Sequence, residues 1–138
     1  MKTLLTYTGS LLVLLDDEDY LTWNQFLWGR HHGYACADFR NPGKKPKRLY
    51  MHRLIMNPGP WEQVHHKNRC RRDNRKENLE VLSVEEHLQR HPESRSLQSL
   101  VAARAAARQQ WIDEQRLKSW MIEEGMLARN TEPLQRCP

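Results

Sequence analysis

Seven histidines occur in the 138 residues. Four of them, His65, His66, His87 and His91, lie in the stretch HHKNRCRRDNRKENLEVLSVEEHLQRH. Imidazole has an unperturbed pKa near ~6.5, so a histidine can take a proton from water at neutral pH, and the neutral ring also binds divalent metals. Asn78 stands twelve positions after His66, His87 nine after Asn78, and His91 four after His87. Side chains four apart on a helix share a face, so His87 and His91 are spaced to hold one cation. A base beside a cation site is the equipment for hydrolysis, in which water must be activated and charge on a leaving oxygen neutralised. His65 and His66 are adjacent, and adjacent strand residues point to opposite faces, so periodicity alone does not bring both into one site.

The elements that must position these groups are legible nearby. Residues 61–66 read as a short strand, KNRCRRDNRKEN as a long polar turn, and LEVL as a second strand. Ser83-Val84-Glu85-Glu86 has the form of a capping box, which starts a helix at Val84, and Pro92 limits that helix to about two turns. Upstream, SLLVLL reads as a buried strand and DDEDYLTWNQ as a short helix with an acidic first turn. A hairpin is predicted about His31-His32-Gly33 and a turn at Asn41-Pro42-Gly43. LYMHRLIM follows as a strand or strand-to-helix element, closed by Asn57-Pro58-Gly59-Pro60.

This strand, loop, strand and helix, with His-His, Asn and His in that order, resembles the HNH endonucleases, whose core is the ββα-metal fold. His66 falls on the first motif histidine, Asn78 in Glu-Asn-Leu on the motif asparagine, and His87 on the last histidine. LLVLLDDEDY, the segment holding Trp28 and Gly33-Tyr34-Ala35, and YMHRLIM are similar to the N-terminal half of phage-encoded and homing-type members, so the resemblance covers about residues 8–91. It implies a DNA endonuclease in which His66 is the general base and Asn78 holds the loop and base in position. His65 and His87 then bind a divalent ion, with His91 as an added ligand, and the products carry 5′-phosphate and 3′-hydroxyl ends. Many phage relatives have Asp where this chain has His65, and the all-imidazole set is more like that of the colicin nucleases. Imidazoles favour Zn²⁺, Ni²⁺ or Mn²⁺ more than an oxygen-only Mg²⁺ site would, so the ion stays open among these four. The fold expected is α+β. A small antiparallel β-rich half (1–60) leads into a ββα-metal core (61–92), followed by a helical C-terminal extension (93–138). The alternative function is a non-catalytic nucleic-acid-binding module with a structural histidine-bound metal.

Charge supports a polyanionic partner. The net is +5, and residues 26–60 hold seven basic groups against Asp38 alone, on the approach to the histidines. Lys44, Lys45, Lys47 and Arg48, and Arg69, Arg71, Arg72 and Arg75 in the polar turn, are candidate phosphate contacts; the plainer reading is solvated loop charge. Trp23, Trp28, Tyr34, Tyr50 and Cys36 read as core, His31 and His32 as turn residues, and His52 as a core histidine or a residue facing the site. Cys36, Cys70 and Cys137 form no CxxC pair, which fits a reducing, cytoplasmic setting without a disulfide framework. No apolar run approaches the ~18 residues of a membrane helix, and DDED stands where a signal cleavage site would be. Ser94 to about Glu124 is rich in helix formers, with Leu97, Leu100, Val101, Ala105 and Ile112 as one partial stripe and Trp111, Leu117, Trp120 and Met121 as another. Docking on the domain, self-association and lying along DNA all stay open for this helix.

Overall fold

Strands β1 (Lys2–Leu5) and β2 (Leu12–Leu15) pair antiparallel, with Leu4, Val13 and Leu15 turned into the core while Leu5 and Leu12 face outward. The computed structural model describes residues 1–7, 9, 11–39, 43, 45–90 and 96–125, apart from the Leu97 side chain. Within them the α+β expectation holds: small antiparallel sheets precede a long C-terminal helix. Helix α1 (Asp17–Trp23) opens with Asp17, Glu18 and Asp19, where carboxylates meet the positive end of the helix dipole. Trp28 donates its indole N–H to the Trp23 carbonyl at 2.7 Å, and Trp23, Phe26, Trp28 and Phe39 pack together, mostly edge to face.

A three-stranded sheet follows in the order β3 (Gly29–His31), β4 (Tyr34–Phe39), β5 (Lys47–Tyr50). Its first hairpin turns through His32 and Gly33, both at positive φ (52° and 81°), as a two-residue turn matched to strand twist requires. β5 runs straight into α2 (Met51–Met56), so LYMHRLIM is strand and then helix. Asn57 ends α2 in the left-handed region at φ 47°, donating its N–H to the Arg53 carbonyl. β6 (Glu62–His66) and β7 (Leu79–Ser83) then pair antiparallel, with His65 opposite Glu80 and His66 opposite Leu79. Ser83 Oγ accepts the Glu86 N–H at 3.1 Å and α3 (Val84–Gln89) begins at the predicted residue.

Helix α4 (Leu97–Glu123) is capped by Ser96 and stopped at Gly125, which has φ 73°. It docks on the rest of the chain, because Leu117 and Met121 belong to the same core cluster as Leu15, Trp28, Met51 and Leu54. Ala107, Glu114, Leu117 and Met121 are its buried face, at spacings of seven, three and four. The predicted first stripe is corrected here: Val101 is 61% exposed and Ala105 is also exposed. The inward face is set by the Glu114, Leu117 and Met121 row, and Val101 falls off it. Arg53 Nε lies 2.6 Å from Glu114 Oε1, both side chains only 2% exposed, while Gln115 bonds Asn57 Oδ1 and Lys118 bonds the Leu54 carbonyl. Arg104 at the other end pairs with Glu85 of α3 at 2.5 Å. Among the described residues no helix is long and apolar enough to cross a membrane.

Candidate active site

His66 ends strand β6 with its side chain pointing inward, 5% exposed. Its Nε2 lies 2.8 Å from Asn74 Oδ1. The other surroundings are rings: His52 at 5.0 Å between centroids and Tyr34 at 5.8 Å, with Tyr34 stacked on His52. Tyr34 is brought in by β4 and His52 by α2, so the sheet and helix upstream build the wall against which His66 rests. Tyr34 and Tyr50, expected to be core residues, are only half-buried; both belong to this ring cluster, and Tyr50 meets His31 Nδ1 at 2.9 Å through its hydroxyl.

The turn after His66 is a closed polar knot. Arg69 donates its N–H to the His66 carbonyl and stands at φ 59°, a left-handed position uncommon outside glycine. Asn68 Oδ1 accepts the Cys70 N–H, an Asx turn. Asp73, 2% exposed, receives both Nε and Nη2 of Arg75 at 2.8 Å and the Asn68 amide at 3.1 Å. These bonds, Arg75 first, hold its carboxyl below the usual carboxylate range. Asn78 donates its side-chain amide to the Asp73 carbonyl and accepts the Asn68 N–H. Asn78 therefore ties the loop together, and Asn74, which the spacing did not single out, is the asparagine that touches His66. From outside, β2 joins the knot: Leu14 donates to the Arg72 carbonyl and accepts the Asn74 N–H, both at 2.9 Å.

His65 turns away from this wall toward α3, where its ring lies 6.2 Å from that of His87 at an interplanar angle of 71°. Two rings bound through nitrogen at ~2.1 Å to one tetrahedral ion have centroids about 5.3 Å apart, so this pair would have to close by about 1 Å to share such a cation. Among the described residues no set of three or more His, Cys, Asp or Glu is grouped to hold a metal, and His91 lies outside them.

Of the basic candidates, Lys44 lies outside the described residues. Lys45, Lys47 and Arg48 are exposed, Lys47 reaching Asp113 at 3.7 Å and Arg48 Asp38 at 3.0 Å. Arg69 and Arg72 are exposed on the loop beside the histidines. Arg71 donates to the His32 carbonyl at 2.6 Å and lies over the Tyr34 ring, and Arg75 is engaged with Asp73 and Glu77.

Burial, more than the neighbouring charge of His65, lowers the pKa of His66 from its ordinary value, although the bond to Asn74 opposes the shift. The ring is thus unprotonated at neutral pH, as a base must be. His52, nearly sealed and with Nδ1 lacking any partner among the described residues, is pushed well below the histidine range by burial, then by His66 and Arg53. In the unfolded chain it titrates near ~6.5. The unfolded state therefore binds the proton first as pH falls. His52 leaves stability intact above about pH 6.5 and erodes it below, by at most about 1.4 kcal/mol per pH unit, until the folded value is reached. The urea midpoint should drop between about pH 7.5 and pH 5.5, and His52→Phe should reduce that drop. An equal drop in the variant would remove His52 as the cause.

A family model described as HNH endonuclease matches residues 49–89. No curated protein and no solved structure matches the chain. The matched stretch begins in β5 and ends with α3, so it takes in His52, His65, His66, the polar knot, Asn78 and His87. Across residues 49–89, with the β-hairpin, the knotted loop and the short helix that carry these histidines, the chain is similar to the HNH endonuclease family.

Proposed function

We propose that the chain is a metal-dependent DNA endonuclease that hydrolyses phosphodiester bonds with His66 as general base. The observation that carries this reading is the match of residues 49–89 to an HNH endonuclease model, in a stretch that holds a buried, hydrogen-bonded His66 and, turned toward α3, a His65–His87 ring pair at 6.2 Å. His66 accepts a proton from water as the water oxygen attacks phosphorus, and the bond to the 3′ oxygen breaks. That oxygen takes up a proton and leaves as a 3′-hydroxyl, and the phosphate stays on the 5′ end. Asn78 holds the loop that backs His66. His65 and His87, with His91 as a further candidate, would hold the divalent ion. When bound, such an ion supplies positive charge to the phosphate and the departing oxygen. Arg69 and Arg72, with Lys45, Lys47, Arg48 and Lys44 on the basic approach, meet the DNA backbone; Arg71 and Arg75 serve the loop first and phosphate second.

Supercoiled plasmid incubated with the purified chain and Mg²⁺, Mn²⁺, Ni²⁺ or Zn²⁺ should be nicked or linearised, and EDTA should stop the reaction. Binding of DNA without cutting under every ion would instead favour a binding module with a structural metal. In calorimetry, His87→Ala should weaken binding of the activating ion by at least about tenfold, since even loss of an outer partner of a ligand costs 10- to 100-fold. Unchanged affinity would take His87 out of the ligand set.

A further inference from the structure

We propose that Asn74 is the positioning residue for the base: its carboxamide oxygen accepts the His66 Nε2 proton and leaves the Nδ1 lone pair to receive the proton from water. The proposal deepens the nuclease reading and rests on His66 being the base. Asn74 is fully buried, and its Oδ1 meets Nε2 at 2.8 Å. A carboxamide oxygen can only accept, so this bond requires hydrogen on Nε2, and a neutral imidazole carries one N–H. The lone pair is then on Nδ1. That atom has no hydrogen bond among the described residues and is not one of the sealed unpaired atoms, whereas Nδ1 of His52 is.

The rest of the chain fixes Asn74 from several directions. Its N–H is held by the Leu14 carbonyl at 2.9 Å, so strand β2, far from the motif in sequence, forms part of the support for the base. Asp73, immediately before it, is clamped by Arg75, Asn68 and, through its carbonyl, Asn78. Asn78 makes no bond to His66 among the described residues; it acts one step further out, on the backbone that carries Asn74. The ring's remaining contacts, Tyr34 and His52, are face and edge packing that leaves the two nitrogens unassigned. Among the described residues, Asn74 alone chooses between them. Its own Nδ2 is buried without a partner. Turning the carboxamide over would place that NH₂ on Nε2 and force the imidazole proton to Nδ1, which is the opposite assignment.

Nitrogen NMR separates the two. In long-range ¹⁵N–¹H spectra of the full, metal-free chain at about pH 8, above the ordinary histidine range near ~6.5, His66 should show a protonated Nε2 and a bare Nδ1. His66→Gln identifies its signals. Asn74→Ala should yield a mixture of tautomers, and Asn74→Asp, which keeps an acceptor oxygen, should restore the single form. In cleavage, Asn74→Ala should lower kcat by about 10- to 100-fold with KM within about twofold, and Asn74→Asp should recover most of the loss. A wild-type His66 protonated on Nδ1 would overturn the proposal, as would an Asn74→Ala spectrum identical to wild type. The wild-type measurement needs no variant to fold and no metal to bind. A chain that fails to cleave DNA would therefore refute the nuclease reading while the tautomer is still decided.

Discussion

His66→Ala should reduce the rate of DNA cleavage by about 100- to 10,000-fold, the range that a positioned general base supplies. On the proposed mechanism the loss should lie in kcat, with the imidazole acting on the attacking water and the backbone contacts proposed for the arginines left in place. Removal of a buried ring between Asn74, His52 and Tyr34 also leaves a cavity, so the alanine variant should be less stable than wild type. His66→Gln refills most of that space and keeps a hydrogen-bonding group next to Asn74. Both variants should show this loss, and the glutamine variant should stay folded at the assay temperature. Undiminished cutting by either, in a preparation free of other nucleases, would remove His66 from the base role.

Glu114→Ala should cost about 3–5 kcal/mol, the usual penalty for leaving one partner of a buried ion pair alone. That is a large share of the roughly 5–15 kcal/mol that holds a domain folded. Arg53 also donates through Nη1 to the Glu62 carbonyl and to Gln63 Oε1, each at 3.3 Å, so it joins α4 to the start of β6, the strand that carries His65 and His66. Arg53 Nη2 and Glu114 Oε2 have no partner among the described residues, which makes the pair a modest net stabiliser that is costly to break by halves. Replacing both residues, as Arg53→Met with Glu114→Leu, should recover most of the loss. The urea midpoints of the single and double variants test this. A Glu114→Ala chain within about 1 kcal/mol of wild type would show that α4 is held mainly by Leu117 and Met121.

Local chemistry made part of this fold readable from sequence. The Ser83 cap placed the start of α3 because the Ser–Glu spacing is itself the hydrogen bond. The turn at His32-Gly33 and the acidic start of α1 were equally local. The contacts that sequence periodicity could not reveal join residues far apart in the chain. β1, Lys2–Leu5, gave no separate strand signal, because it is too short to alternate clearly and its partner lies across a turn. Arg53 and Glu114 are 61 positions apart, and each alone is an ordinary helical charge. The stripe chosen on α4 failed because alanine is indifferent to burial: Ala107 is inward and Ala105 outward, and only docking against the rest of the chain decides. At the site, the spacing of His66, Asn78 and His87 named the loop, which Asn78 ties together, but carried no sign of the bond between His66 and Asn74. Asn74 was concealed in a polar turn where asparagine is unremarkable.

The central claim, that water activated by this centre cleaves the phosphodiester at its 3′ oxygen, is tested most directly by cutting plasmid in ¹⁸O-enriched water with the activating ion and analysing the new ends. The account predicts 5′-phosphates carrying a single ¹⁸O and unlabelled 3′-hydroxyls, with no product from His66→Gln under the same conditions. Ends bearing 3′-phosphate, label on the 3′-hydroxyl, or cutting that persists in His66→Gln would contradict it.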